Sequence, residues 1–170
     1  MNTFLICFLS FFLASIYGFQ VNDVDGNTIN IADYQGKKIL LVNIATGSQR
    51  VNQLAGLQQL QQQYGDSLVV IAFPSNSFGH ESRTNSEIGQ FCRNNYGVTF
   101  RIAEKKDVTG SGIQPVYNWF AQASENGVMN GIVGSDFQKF LIGKNGALIG
   151  VFSPSVNPLD SLITNAITGN

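Results

Sequence analysis

The chain has 170 residues and a formal net charge of −1, and it contains 44% hydrophobic but only 12% charged residues. This length suits one domain with a full hydrophobic core, and the small net charge gives no electrostatic basis for binding nucleic acid or an anionic membrane. Because the chain has one histidine and two cysteines, we expect no zinc or iron site and no cofactor.

The amino terminus carries an apolar run over residues 4–16, interrupted only by serine. This run is short for a membrane span and fits the hydrophobic region of a secretory signal peptide. Since Gly18 is small and the domain pattern starts at Phe19, we predict a signal peptide over 1–18, cleaved after Gly18, and a secreted or periplasmic domain over 19–170. A buried first helix and an uncleaved anchor are the alternatives.

The domain opens with an alternating apolar and polar segment, followed by Asp25-Gly26, which is typical of a hairpin turn. The later elements are predicted from apolar periodicity and from capping and turn residues. In order, they are a strand over 39–44, a helix over 52–64, a strand over 68–73, a helix opened by the capping box Thr84 with Glu87, a strand over 98–102, a helix from Pro115 over 116–123, strands over 137–142 and 147–152, and a last helix from about Pro158 with Leu159, Leu162, Ile163 and Ile167 facing inward.

This order predicts an α/β fold in which helices flank a central mixed sheet, with a β-hairpin at its amino terminus. The strands over 39–44 and 68–73 are joined by a helix, so a right-handed crossover makes them parallel. Sites of α/β proteins lie at the carboxyl ends of such strands. The loops that begin at Ala45 and Pro74 are therefore the places to look for chemistry.

Motifs along nearly all of the predicted mature chain resemble the glutathione peroxidase family. They match in both order and spacing, which makes the signal specific although no single piece would be enough. They include LLVNIAT at 40–46, LAGLQQL at 54–60, VVIAFPSN at 69–76, NSEI at 85–88, YGVTF at 96–100, KDV at 106–108, FQKFL at 137–141 and FSP at 152–154. The resemblance implies a thioredoxin-like fold.

The resemblance also implies where the family's catalytic residues fall. The peroxide-reducing cysteine or selenocysteine position is Ser48, the glutamine position is Ser77, and the tryptophan and asparagine positions are Ser135 and Asp136. All four depart from the family pattern. The segment between the Pro115 helix and Phe137 is also too short for the oligomerisation loop of tetrameric members, so we expect a monomer.

These departures remove the chemistry of peroxide reduction. The reaction needs a thiolate or selenolate that attacks the O–O bond and is oxidised to a sulfenic acid or its selenium counterpart, and a serine hydroxyl has no equivalent reversible step. Ser77 is too short to replace a glutamine amide, and Ser135 offers no indole N–H. A negative charge at Asp136 would raise the pKa of a neighbouring thiol rather than lower it.

Two other residues, Cys92 and His80, are candidate reactive groups. Cys92 is the one cysteine left after cleavage, and its helical spacing with Ile88 and Phe91 favours a buried core position over a redox thiol. A hydrolase with Ser48 as nucleophile would need His80 as its base, and the G-x-S-x-G spacing is missing. His80 itself is expected to be an exposed loop residue.

The sequence therefore favours a pseudoenzyme that acts as a binding or interaction module, with an unknown protein or small molecule as its partner. The second hypothesis is an active peroxidase that uses Cys92 or other residues, and only this one calls for glutathione or thioredoxin. The third, a Ser48 hydrolase, has the least support. Whether the chain is an enzyme stays open at this stage, since family activity is peroxide reduction and its key position reads serine.

Overall fold

The structure is a computed structural model that describes residues 14–131 and 133–169. Residues 1–13 of the predicted signal peptide lie outside the described residues, so the leader stays a prediction. Within the described ranges, no helix is both long and apolar enough to cross a lipid bilayer. The elements are β1 (Gln20–Asn22), β2 (Thr28–Asn30), β3 (Lys38–Ile44), α1 (Gln53–Tyr64), β4 (Leu68–Pro74), α2 (Asn85–Tyr96), β5 (Arg101–Ile102), α3 (Pro115–Ala121), α4 (Ala123–Asn126), β6 (Lys139–Ile142), β7 (Leu148–Phe152) and α5 (Ser161–Thr168), with 3-10 turns at Ile16–Gly18 and Ile31–Tyr34.

Five strands form one mixed sheet in the order β5-β4-β3-β6-β7. β3 pairs in parallel with β4 and antiparallel with β6, and β6 pairs antiparallel with β7. The hairpin β1-β2 forms a separate antiparallel pair, and its Gly26 has the positive φ that the Asp25-Gly26 turn requires. The predicted mixed α/β fold with an amino-terminal hairpin is confirmed.

Alternating residues of the central strands pack into two hydrophobic layers, one on each face of the sheet. On β3, Leu40 and Val42 face a cluster covered by α1, α2 and α5, whereas Ile39 and Leu41 face a cluster covered by α3. Because both faces are covered, β3 and β4 are buried along their whole length. The carboxyl ends of these two strands are therefore fixed on a rigid base.

Two predicted strands begin two or more residues later in the structure, each for a local reason. The strand predicted over 98–102 pairs only at Arg101 and Ile102, because the Thr99 backbone N–H donates to Oε1 of Gln58 at 2.8 Å instead of joining the sheet. The strand predicted from Phe137 begins at Lys139, because Phe137 has a φ of 67°, in the left-handed region.

The prediction for the last helix was partly wrong. The helix begins at Ser161 rather than near Pro158, since the side chain of Asp160 caps it by accepting from the Leu162 N–H at 2.8 Å. Ile163 is buried as expected, but Leu162 is 62% exposed because successive residues of a helix point about 100° apart, which turns Leu162 away from the core. Leu159, which precedes the helix, is exposed as well.

Candidate functional site

The candidate site lies where β3 and β4 end, beside the loop that leads into β6. Ser48 sits in the turn after β3 and is only 4% exposed. Its backbone N–H donates to the Ala45 carbonyl at 3.2 Å, and its Oγ accepts from the Arg50 N–H at 3.3 Å. The hydroxyl at the predicted nucleophile position is therefore held inside its own turn.

The turn of Ser48 lies directly against the loop that follows β4. The Gly47 N–H donates to the His80 carbonyl at 3.0 Å. A Cβ at Gly47 would lie 2.7 Å from that same oxygen, which is closer than atoms in contact can approach. Only glycine allows this contact, so the two predicted site loops meet at the backbone level.

A buried carboxylate fastens these loops together. Glu81 has no exposed surface, and its Oε2 accepts from the Thr46 N–H at 2.6 Å while its Oε1 accepts from the Thr46 hydroxyl at 2.8 Å. Oε1 also accepts from the Arg83 N–H at 3.2 Å, and Arg83 Nη1 donates to the Thr46 hydroxyl at 2.6 Å. Sequence reasoning missed this role, because an acidic residue after His80 reads as part of a solvated loop.

His80 and Asp136 form a pair that sequence reasoning also missed. His80 Nδ1 lies 2.6 Å from Asp136 Oδ2, and the two side chains are 53% and 1% exposed. His80 is exposed as expected, but its ring is oriented by a buried carboxylate. A neutral imidazole in this contact donates from Nδ1 and keeps Nε2 as an acceptor facing outward. The signal was the chain's lone histidine together with an acidic residue at the family's asparagine position.

The backbone around Asp136 is held in a strained shape. Asn43, buried on β3, donates from Nδ2 to the Ser135 carbonyl at 2.9 Å, and its own carbonyl accepts from the Phe137 N–H at 2.6 Å. These bonds hold Phe137 at its positive φ, a conformation that bulky residues rarely adopt. Arg50 Nη1 donates to the Ser135 hydroxyl at 3.4 Å, so Ser135 and Asp136 join the site of Ser48.

Ser77 does not join this group in the same way. Its hydroxyl accepts from the Ser75 hydroxyl at 2.9 Å and from the Val108 N–H at 3.1 Å. Its side chain thus accepts two hydrogen bonds that support the loop after β4, and among the described residues none links it to Ser48. The structure brings Ser48, Ser135 and Asp136 together through Arg50, which hydrogen-bonds to both serines. Ser77 instead hydrogen-bonds to Ser75 and Val108.

A buried lysine lies beneath the loop. Lys139, the first residue of β6, is fully buried, and its Nζ donates to the Phe137 carbonyl at 2.8 Å. Burial, together with the nearby positive charge of Arg50, lowers its pKa from 10.5 to about 8. The resemblance gave Lys139 as part of a strand motif, and sequence reasoning assigned it no electrostatic role.

Cys92 lies in α2, inside the hydrophobic layer under α1 and α5. The residue is fully buried, and burial raises the pKa of its thiol from 9 to about 12, with a smaller contribution from the charge of Glu81. The prediction that Cys92 is a core residue is confirmed. At physiological pH its sulfur is a neutral thiol without contact with solvent.

The described part of the site offers hydroxyls, a carboxylate-oriented imidazole and an arginine, but no accessible thiol. Within residues 14–131 and 133–169, Ser48 Oγ makes no hydrogen bond to His80, and no three histidine, cysteine or acidic side chains gather in a way that could hold a metal ion. The arrangement therefore does not place His80 as the base for a Ser48 nucleophile.

Comparison of the fold with solved structures gives the class of protein first. The chain superimposes on a thioredoxin-family thiol:disulfide interchange protein from Chlorobium tepidum with a TM-score of 0.64 at 15% identity, covering 91% of this chain and 94% of the other. This shows the fold, which is thioredoxin-like as predicted. The apo crystal structure of Trgpx gives a TM-score of 0.69 at 29% identity, over 91% of this chain and 93% of that one.

The sequence comparisons then give the family. Residues 16–121 match the model of the glutathione peroxidase family. The chain is 38% identical over 144 residues to the glutathione peroxidase-like peroxiredoxin GPX5 of Chlamydomonas reinhardtii, covering 84% of this chain and 88% of that one. It is 35% identical over 146 residues to the glutathione peroxidase of Lactococcus lactis subsp. cremoris, covering 85% and 92%. The chain belongs to the glutathione peroxidase family, a family of peroxide-reducing oxidoreductases.

Proposed function

We propose that this chain is an exported member of the glutathione peroxidase family that has lost thiol-based peroxide reduction and acts as a binding or interaction module. The observation that carries the proposal is the chemistry of the site. Oxygen stands at Ser48, where the resemblance places the peroxidatic sulfur or selenium, and the described thiol, Cys92, is buried with a pKa near 12. Neither residue supplies an accessible thiolate at neutral pH.

The neighbours of Ser48 support the same proposal. The family's asparagine position carries Asp136, which is buried and pairs with His80, so no amide donor stands there for a thiolate. The Ser77 hydroxyl accepts from the Ser75 hydroxyl and from the Val108 N–H. Ser77 and Asp136, at two of the family's catalytic positions, therefore make structural hydrogen bonds beneath a polar surface.

That surface is where a partner would bind. Gly47, Gln49, Arg50 and His80 are exposed around the buried Ser48 and Asp136. Arg50 and His80 lie on loops that Glu81 and the Gly47 contact hold in place. These loops therefore lose little conformational freedom when a partner binds. A rigid polar rim of this kind fits a binding role better than turnover of a hydroperoxide.

A coupled assay tests the loss of activity. With hydroperoxide as substrate, either glutathione or thioredoxin as reductant and the matching NADPH-dependent reductase as coupling enzyme, NADPH oxidation with the purified chain is expected to be no faster than in the protein-free blank. The Lactococcus lactis relative serves as the positive control. Cys92→Ser is expected to leave the rate of NADPH oxidation at the level of the blank. Turnover by the wild type that Cys92→Ser abolishes would establish the competing hypothesis, a peroxidase that uses Cys92. Turnover that survives this substitution would also contradict the proposal, because it would show that another residue reduces the peroxide.

A further inference from the structure

The segment just before the first hairpin is an integral part of the domain. Ile16 has no exposed surface and packs with Ile39 and Trp119 in the layer under α3. It begins the 3-10 turn Ile16–Gly18, which the Phe19 N–H closes by donating to the Ile16 carbonyl at 3.3 Å. Loss of Ile16 would leave a cavity the size of a whole side chain in this layer.

Tyr17 fixes the same segment to the hairpin between β6 and β7. Its hydroxyl donates to the Lys144 carbonyl at 2.9 Å. Its ring lies so close to Gly146 that a Cβ there would come within 2.7 Å of Cε2. Gly146 has a φ of 85°, so glycine provides both the turn and the space for the ring.

Side-chain burial ends immediately before Ile16. Ala14 and Ser15 are exposed. The Ala14 carbonyl accepts from Trp119 Nε1 at 2.6 Å, and the Ser15 hydroxyl accepts from the Tyr17 N–H at 3.3 Å. The Gly18 N–H also donates to the Ser15 carbonyl at 3.0 Å. A cut before Ile16 therefore gives up three hydrogen-bond acceptors but no buried side chain. The change from exposed to fully buried falls between Ser15 and Ile16.

We infer that the leader is removed at the Ser15–Ile16 bond, so that the mature chain begins at Ile16 and not after Gly18. A leader peptidase with water as co-reactant breaks the C–N bond, leaving a carboxylate on Ser15 and an amine on Ile16. Ser15 is as suitable as Gly18 at the position before the cut, because both are small and neither has a small residue two positions earlier. A cut after Gly18 would remove Ile16 and Tyr17 together with their contacts, whereas a cut after Ser15 keeps them in the domain, and the family match also begins at residue 16.

This inference rests on the proposed export, and its test keeps the two apart. The full chain is expressed in a secreting host, and the exported product is identified by intact mass and amino-terminal sequencing. A first residue of Ile16 is the expected result. A first residue of Phe19, any other cleaved start, or an exported chain that keeps residues 1–15 would overturn the cleavage site while leaving export in place, whereas a chain found only inside the cells would overturn both.

A stability comparison tests the packing on which the inference depends. Chains that begin at Ile16 and at Phe19 are produced without a leader, and the shorter chain is expected to unfold at a temperature lower by about 5 °C or more. If the shorter chain does not fold, Ile16→Ala in the longer chain gives the same test, with Ile149→Ala as the matched control because Ile149 is 49% exposed. Equal unfolding temperatures for Ile16→Ala and Ile149→Ala would overturn it.

Discussion

Replacing Glu81 with alanine is expected to lower the free energy of unfolding by about 3 kcal/mol. The substitution removes the acceptor for the Thr46 N–H, the Thr46 hydroxyl and the Arg83 N–H together. Because Glu81 is fully buried, water cannot readily take its place, and the donors lose their partner in the interior. Chemical denaturation monitored by circular dichroism measures the change.

Two further variants separate the causes of this effect. Glu81→Gln keeps the shape and one acceptor oxygen, so its loss is expected to be smaller, about 1 to 2 kcal/mol. Glu125→Ala is the matched control, since the Glu125 carboxylate in α4 makes no hydrogen bond or ion pair within the described residues, and it is expected to change stability by less than about 0.5 kcal/mol. Equal effects of Glu81→Ala and Glu125→Ala would refute the role assigned to Glu81.

Replacing Lys139 with methionine is expected to stabilise the protein at neutral pH by about 2 kcal/mol. Burial lowers the pKa of Lys139 to about 8, so below pH 8 the folded state holds a charged, desolvated lysine that costs about 3 kcal/mol relative to the unfolded chain. Methionine has a similar volume and no charge. It loses only the hydrogen bond to the Phe137 carbonyl, which offsets part of the gain.

The advantage of Lys139→Met is expected to depend on pH in a defined direction. Between about pH 8 and 10.5 the folded wild type releases the lysine proton while the unfolded chain keeps it, so wild-type stability rises relative to the variant. The difference between the two proteins should therefore shrink over this range. A difference between wild type and Lys139→Met that stays constant from pH 7 to 10.5 would contradict the assignment.

Local signals in the sequence predicted much of the fold. The capping box of Thr84 and Glu87 forms as expected, and Gly97 ends the same helix with a φ of 61°. The two apolar runs became parallel central strands because a helix of suitable length connects them. Helix caps, helix ends and strands could be predicted because they depend on residues close together in the sequence or on the spacing of apolar residues.

Features that depend on distant partners could not be predicted in the same way. The Gln58 side chain on α1 accepts a hydrogen bond from the Thr99 backbone N–H, which shortens β5. No residue near Thr99 in the sequence indicates this bond. The pairing of His80 with Asp136 joins residues 56 positions apart. The resemblance placed Ser48 and Asp136 in one site, but the sequence could not show which side chains satisfy them, because that depends on how three loops meet.

The most direct test of whether this chain has a thiol that reduces hydroperoxide is a single-turnover reaction, since it needs no reductant. Dimedone is added to trap any sulfenic acid that forms. Folded, metal-free wild type is mixed with an equimolar amount of hydroperoxide, and the Chlamydomonas reinhardtii relative is treated in parallel. The relative is expected to consume the peroxide, while this chain leaves its concentration unchanged and carries no adduct on Cys92. Stoichiometric consumption of peroxide by the folded wild type, with an adduct on Cys92, would contradict the loss of peroxidase chemistry.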